Sequence, residues 1–424
     1  MHTAAPMDDT AQPAAAEETE DSPLSPGERR SMLWLTNVSH AVNHFQGQMV
    51  GPLYPLIMAE FGFGYAQLGM LVALRNAFTS WTQLGYGFVT PFIDRCRVLG
   101  IANLVLALGT AATGMTGSFL TFLGARSLAA AGSSAQHPVG ASILSSYFPK
   151  TRGTVLALNN TIASVGMLLA PAVAGLLITI VGWREVFWIV AAASVLVGAA
   201  YFFFPDRLRQ QRPAGTAKRA VLAQSFTSYV RVFRNRNMML IGLVFMVGAA
   251  GRGGEDIQSY FATHFVNDLG MNITYAGFAL ALLNAGGLAG PMFFGWLSDR
   301  FNRKAVLQVS LLLSALSTVL LAHQGAASLA LVANLLFQGA VTSSRGTLTQ
   351  ALIADSASES DQDAAFSVYF FLGFFSTPLW ALGTGFMMDA LGFTDTFTLL
   401  SGSYVAAMLV TFFVTDKRVK RAAR

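Results

Sequence analysis

His40, Asn43 and His44 fall three and four residues apart in an apolar run, a spacing that sets them on one helical face. Imidazole exchanges protons near neutral pH, so such a face can bind a polar solute and trade a proton with it. Arg75, Arg126, Arg252 and Arg345 stand inside other apolar runs, and His137 inside another. A guanidinium grips a carboxylate or phosphonate through two parallel hydrogen bonds, which lysine cannot reproduce. Glu255 and Asp256 follow Arg252 closely in Gly248-Ala-Ala-Gly251-Arg252-Gly253-Gly254-Glu255-Asp256, a glycine-dense stretch able to bend a helix. The chemistry on offer is reversible anion binding and proton exchange. Glu255, Asp256, His40 and His44 are the candidate proton carriers, although an Arg252–Glu255 pair at helical spacing could equally do no more than brace the bend.

The elements that hold these groups follow from composition. The chain has 424 residues, 53% hydrophobic and 12% charged, about half of the roughly 25% charge of a soluble domain. At roughly 20 apolar residues per crossing, the runs predict twelve spans: 33–57, 66–90, 99–117, 119–147, 153–178, 185–204, 238–264, 274–297, 305–323, 327–353, 363–389 and 395–414. Lipid offers no partners for backbone polar groups, and these runs are too long for barrel strands, so an all-α bundle is expected. A charge within a span costs about 2.5 to 3.5 kcal/mol on insertion scales and is functional by default. At about 1.5 Å per residue, His44 lies about 16 Å into its span and Arg75 about 14 Å into the next, both near the midplane. His40, Asn43, His44, Arg75, Arg126, His137 and Arg345 are therefore the candidate substrate-binding residues.

Charge placement sets the topology. Residues 1–30 read as a disordered acidic tail, 31–204 as a first six-helix bundle, and 205–237 as a basic linker. Residues 238–415 read as a second bundle and 416–424 as a basic tail. Placing both termini in the cytoplasm puts Arg29, Arg30, Arg95, Arg97, Lys150, Arg152, the cations from Arg207 to Arg236, Arg300, Arg303 and Lys304 there too. Arg184 is the cation left in an outer loop. The net charge of +5 is thus a topology determinant, and no nucleic-acid partner is expected. An acidic start is not the n-region of a signal peptide. The single cysteine, Cys96, excludes an internal disulfide. No GxxxxGK[ST] loop supports ATP-driven transport, and neither enzyme activity, cofactor nor metal is expected.

The chain also repeats itself. Asp94-Arg95 recurs as Asp299-Arg300, Tyr65-Ala66 as Tyr275-Ala276, and Gly166 and Pro171 as Gly373 and Pro378. Two six-helix halves of the same orientation, closing around a midplane site, are the economical reading.

With that repeat the chain resembles the major facilitator superfamily over roughly residues 31–416. Gly295-Trp-Leu-Ser-Asp299-Arg300-Phe-Asn302-Arg303-Lys304 looks like the family's loop motif, with Asn302 where glycine is usual. The first-half copy keeps Asp94 and Arg95 while Thr90 and Arg97 replace its glycines. The resemblance implies a cytoplasmic gate of Asp94, Arg95, Asp299, Arg300 and Arg303, its carboxylates paired with cations and helix N-termini. The alternative is a solvated loop that only sets topology. The closer match is to fosmidomycin-resistance-like exporters, through Ser39-His40-Ala-Val-Asn43, Pro52-Leu53-Tyr54-Pro55, the run from Glu60 to Gly69, and Gly132-Ser133-Ser134-Ala-Gln-His137-Pro138. His44 stands where that group tends to carry aspartate. The run from Gly166 to Gly175 looks like the drug:proton antiporter motif, with alanines at two glycine positions; close helix packing alone would also account for it.

These readings converge on a proton-coupled secondary transporter in the cytoplasmic (inner) membrane of a bacterium, exporting a small organic anion by alternating access. Its partners are that small-molecule substrate, protons and the lipid bilayer, and a monomer is compatible with the architecture. Uptake of an organic anion is the alternative within transport, and a non-transporting sensor or scaffold is the alternative outside it.

Overall fold

The first helix starts where local chemistry starts it. Ser25 accepts from the Glu28 amide while the Glu28 carboxylate accepts from the Ser25 amide, and Pro26 occupies the first turn. That capping box satisfies helix-end N–H groups, and proline loses nothing there. The helix therefore begins at Pro26, inside the stretch expected to be a disordered tail, and that boundary is corrected. The computed structural model describes residues 24–90, 93–148, 152–208, 227, 229–248, 255–325, 328–358 and 361–416. Residues 1–23 of the expected tail, most of the 205–237 linker and residues 417–424 lie outside it.

The first half comprises α1 (Pro26–Gln48), a single 3₁₀ turn (Gly51–Leu53), α2 (Tyr54–Phe61), α3 (Tyr65–Val89), α4 (Arg95–Thr113) and α5 (Phe119–Ser133). A π turn at Gln136–Gly140, then α6 (Ala141–Tyr147), α7 (Arg152–Leu177) and α8 (Trp183–Tyr201), complete it. The second half comprises α9 (Arg236–Val247), α10 (Glu255–Asn267), α11 (Ile273–Arg300), α12 (Arg303–His323), α13 (Leu329–Ser356) and α14 (Gln362–Thr411). No strand occurs among the described residues. Among the described residues, six helical stretches are long and apolar enough to cross a membrane by length and composition: Arg95–Thr113, Leu158–Leu177, Trp183–Tyr201, Ile273–Arg300, Arg303–His323 and Phe371–Thr411. The last holds two expected spans, divided at Gly392, whose φ of 77° is left-handed and favours glycine.

Packing repeats the sequence duplication. In the first half α1 lies on α7 and α4 on both α5 and α8; in the second, α9 lies on α14, α11 on α13 and α12 on α14. Small residues permit this closeness, as lipid-exposed bundles require. A Cβ on Gly132 would sit 2.2 Å from the Leu106 amide nitrogen, and one on Gly339 1.9 Å from the Leu283 carbonyl.

The halves meet through α3 against α14 and α7 against α11. Asp389 accepts from the amides of Tyr65 and Ala66 at 2.9 and 2.8 Å, and Thr274 Oγ1 donates to the Gly175 carbonyl at 2.7 Å. Both contacts lie at the end of the bundle remote from the start of α1 and the end of α14. At the opposite end, polar contacts stay within one half: Arg95 with Asp206, Arg303 with Asp355, and Arg231 with Asp361.

Candidate functional site

A polar cavity of about 90 Å³ opens in the first half. Asn43 and His44 of α1, Arg75 of α3, Arg126 of α5 and His137 of the π turn line it, and so do Asn76, Thr79, Gln83 and Ser133. None of these lining residues is acidic. Five of the seven substrate-binding candidates thus share one wall, and His40 lies directly behind it. Arg126 is 4% exposed, its guanidinium carbon 5.9 Å from the centroid of the Phe187 ring.

His40, His44 and His137 form a trio of rings. Centroids are 4.8 Å apart for His40 and His44, 4.9 Å for His40 and His137, and 5.2 Å for His44 and His137. The π turn that presents His137 contains Pro138, which has no N–H to continue an α-helical ladder. Asn43 braces this turn by donating from Nδ2 to the Ser133 carbonyl at 3.0 Å. His40 is 3% exposed, and its Nδ1 lies 2.7 Å from Asn159 Oδ1. Asn159 Nδ2 donates in turn to Asn37 Oδ1 at 2.7 Å.

Arg345, the candidate on the second half, lies apart from this wall. It is 3% exposed in the second half, 5.6 Å from the Phe245 ring and 6.0 Å from that of Tyr404, and does not line the cavity. Arg252 lies outside the described residues, as do the side chains of Glu255 and Asp256, although Glu255 begins α10. His264 is held by Asp268 at 2.7 Å and stacks on Phe393 at 3.6 Å between centroids.

The repeated loops have partners within their own halves. Asp94 caps α4, accepting from the Arg97 amide, and also accepts from the Asp206 amide, both at 3.0 Å. Arg95 pairs with fully buried Asp206 and donates to Ser142 and Ser146. Arg303 donates to Asp299 at 2.8 Å and lies 3.4 Å from Asp355, while Arg300 stacks 4.1 Å over Trp296. Gly166 packs where a Cβ would meet the Ala41 carbonyl at 2.4 Å, so the run from Gly166 to Gly175 serves close helix contact.

Asn76, Thr79, Gln83 and Ser133 were not among the sequence candidates. Thr79 and Gln83 follow Arg75 along α3 by four and eight residues, and Asn76 precedes Thr79 by three, which was the available sign. Gln46, also at the wall, is committed to packing: it donates to the Val190 carbonyl and Ser194 and accepts from Thr110.

Two duplicated helical halves beside a polar, arginine-bearing cavity are the build of a membrane transporter. Residues 36–281 and 251–424 match the Major Facilitator Superfamily, and the chain belongs to that family of multi-pass membrane proteins. It is 23% identical over 252 residues to a cis,cis-muconate transport protein of Acinetobacter baylyi, covering 58% of this chain and 61% of that protein. It is 24% identical over 297 residues to the fosmidomycin resistance protein of Escherichia coli, covering 69% of this chain and 71% of that one. Among solved structures, a bacterial homologue of the human lysosomal transporter Spinster, inward-facing and unoccupied, superposes with a TM-score of 0.76 at 17% identity. That alignment covers 92% of this chain and 96% of the other, and shows the shared fold.

Proposed function

We propose that the protein is a proton-coupled secondary transporter of a small organic anion in the bacterial inner membrane, with both termini cytoplasmic. The observation that carries this reading is the cavity wall, where Arg75 and Arg126 stand beside two histidines and no lining residue is acidic. Guanidinium pairs are the fitting receptors for carboxylate, phosphonate or sulfonate groups. The muconate relative is named for a dicarboxylate, which supports the same class. His40 and His44 are the proton carriers at this wall, with Glu255 and Asp256 as carriers in the second half. Closure of the halves at Asp389 and Gly175 corresponds to a form open toward the cytoplasm. In the opposite state, Asp94, Arg95, Asp299, Arg300 and Arg303 form the gate on the other side.

The direction we favour is efflux. Uptake through the same site is the second reading. Proteoliposomes settle both: a proton gradient should drive benzoate or a phosphonate against its concentration in one direction only. A protonophore should abolish this while leaving exchange intact. Tight binding of cationic dyes with indifference to organic anions, or sodium dependence without proton dependence, would overturn the assignment.

A further inference from the structure

The three histidines at the cavity wall do more than line it. The ring nitrogens that His40, His44 and His137 can offer lie within 4.8 Å of one another. A tetrahedral zinc ion with Zn–N bonds of about 2.0–2.1 Å needs its ligand nitrogens about 3.3 Å apart. Closing that difference takes ring movements of about 1 Å, within the reach of small side-chain rotations.

The state of His40 is set from behind. Because Asn159 Nδ2 donates to Asn37 Oδ1, Asn159 presents its Oδ1 to His40, which must donate from Nδ1. The lone pair is then on His40 Nε2, and that nitrogen is buried without a hydrogen-bond partner. An orphaned acceptor in a side chain only 3% exposed calls for a ligand. A metal-binding imidazole typically has this arrangement, one nitrogen on the ion and the other donating to a fixed oxygen. The third ring comes from a π turn, a distortion that recurs at functional sites.

We propose that His40, His44 and His137 form a binding site for a divalent transition metal of the zinc class, its fourth position open to the cavity. Three imidazoles, joined by no thiolate or carboxylate among the described residues, suit zinc, copper or nickel rather than calcium or magnesium. Arg75 and Arg126 on the adjoining wall repel a bare dication, so an anion must occupy the open position. Chloride or hydroxide suffices, which makes this inference independent of the transported substrate; the ion and the protons that His40 and His44 carry compete for the same ring nitrogens, so the metal-bound and proton-carrying forms exclude each other.

The test is a zinc titration of the purified full-length protein, freed of any affinity tag, in detergent without organic anions. One zinc per chain is expected, with a Kd of about 1 μM or tighter. His44→Gln and His137→Gln should each weaken binding at least about tenfold, and Asn159→Leu about tenfold through loss of positioning. Replacing His264 or His323 should change nothing. Cobalt in the unaltered protein should give the intense visible bands of a four-coordinate ion, a readout that requires no variant to fold. Weak octahedral cobalt bands, no zinc uptake, or uptake undiminished in both histidine variants would overturn the site.

Discussion

Asp389 near the middle of α14 holds Tyr65 at the start of α3: Asp389 Oδ1 accepts from the Tyr65 amide at 2.9 Å, and Oδ2 from that of Ala66 at 2.8 Å. A carboxylate of one half thereby caps a helix N-terminus of the other, satisfying amides that have no intrahelical partner and complementing the dipole there. In the alternating-access cycle proposed above, this clasp has to open.

Asp389→Ala should therefore favour separation at that end. An exposed charged cap contributes about 1 kcal/mol, so the balance between states should shift roughly fivefold. Spin labels at the start of α3 and beside Gly392 of α14 would show a longer-distance population. An unchanged distance distribution would mean that the clasp is incidental.

Arg95 and Asp206 make a different kind of pair, with side chains 10% and 0% exposed. Removing one member leaves a buried charge uncompensated. Arg95→Leu should lower stability by about 3–5 kcal/mol, and adding Asp206→Leu should restore most of the loss. Unfolding of the purified variants in detergent measures both. Equal loss in single and double variants would contradict the coupling.

The duplication was readable because Asp94-Arg95 and Asp299-Arg300 recur locally, and the packing of α1 on α7 and α9 on α14 follows it. The grouping on α1 was readable too, since spacing alone put His40, Asn43 and His44 on one face, and Asn43 and His44 line the cavity with His40 in ring contact behind them. What could not be read was which face of α13 turns inward. Close approach of Gly339 to Leu283 fixes that rotation and sends Arg345 toward Phe245 and Tyr404, away from the cavity. Long-range partners were equally hidden: Asp206 of Arg95 and Asn159 of His40 are brought in by tertiary packing. The start of α1 was a missed local sign, because the capping residues Ser25 and Glu28 sit in a stretch whose overall composition reads as a tail.

Glu60, in the last turn of α2, accepts from Arg184 at 2.6 Å and from the Trp183 indole at 2.7 Å. Arg184 first, then Trp183, holds its carboxyl below the usual carboxylate range. A depressed folded-state value gives stability that is complete above the unfolded pKa of about 4.3 and is lost as pH falls toward the folded one. Because Glu60 is largely solvent-accessible, the contribution stays under about 1 kcal/mol. Wild type should exceed Glu60→Gln in melting temperature at pH 6, with the gap shrinking below about pH 4. A pH-independent gap would assign the effect to packing.

Asp299 has a side chain 65% exposed, so its contact with Arg303 adds little to stability. Its expected worth lies in the opposite state, when the gate closes. Asp299→Asn should insert and melt within about 1 kcal/mol of wild type yet carry substrate several-fold more slowly. Normal flux from a correctly inserted variant would remove the gate reading.

Arg126 tests the charge of the substrate. It is held against Phe187 and lines the cavity, so its position is fixed before substrate arrives. Lysine keeps the positive charge and most of the stem, but offers a point charge where guanidinium offers a planar fork. If the cavity merely needed a cation for solubility or topology, Arg126→Lys would be silent. If it grips a carboxylate or phosphonate by two parallel hydrogen bonds, losing one charge-assisted bond costs about 1.5–3 kcal/mol, or roughly 10- to 100-fold in affinity. Binding of benzoate and of a phosphonate to purified Arg126→Lys, measured beside wild type of equal thermal stability, separates the two. Arg75→Lys should behave alike, and Arg345→Lys, away from the cavity, should leave affinity within about twofold while lowering stability.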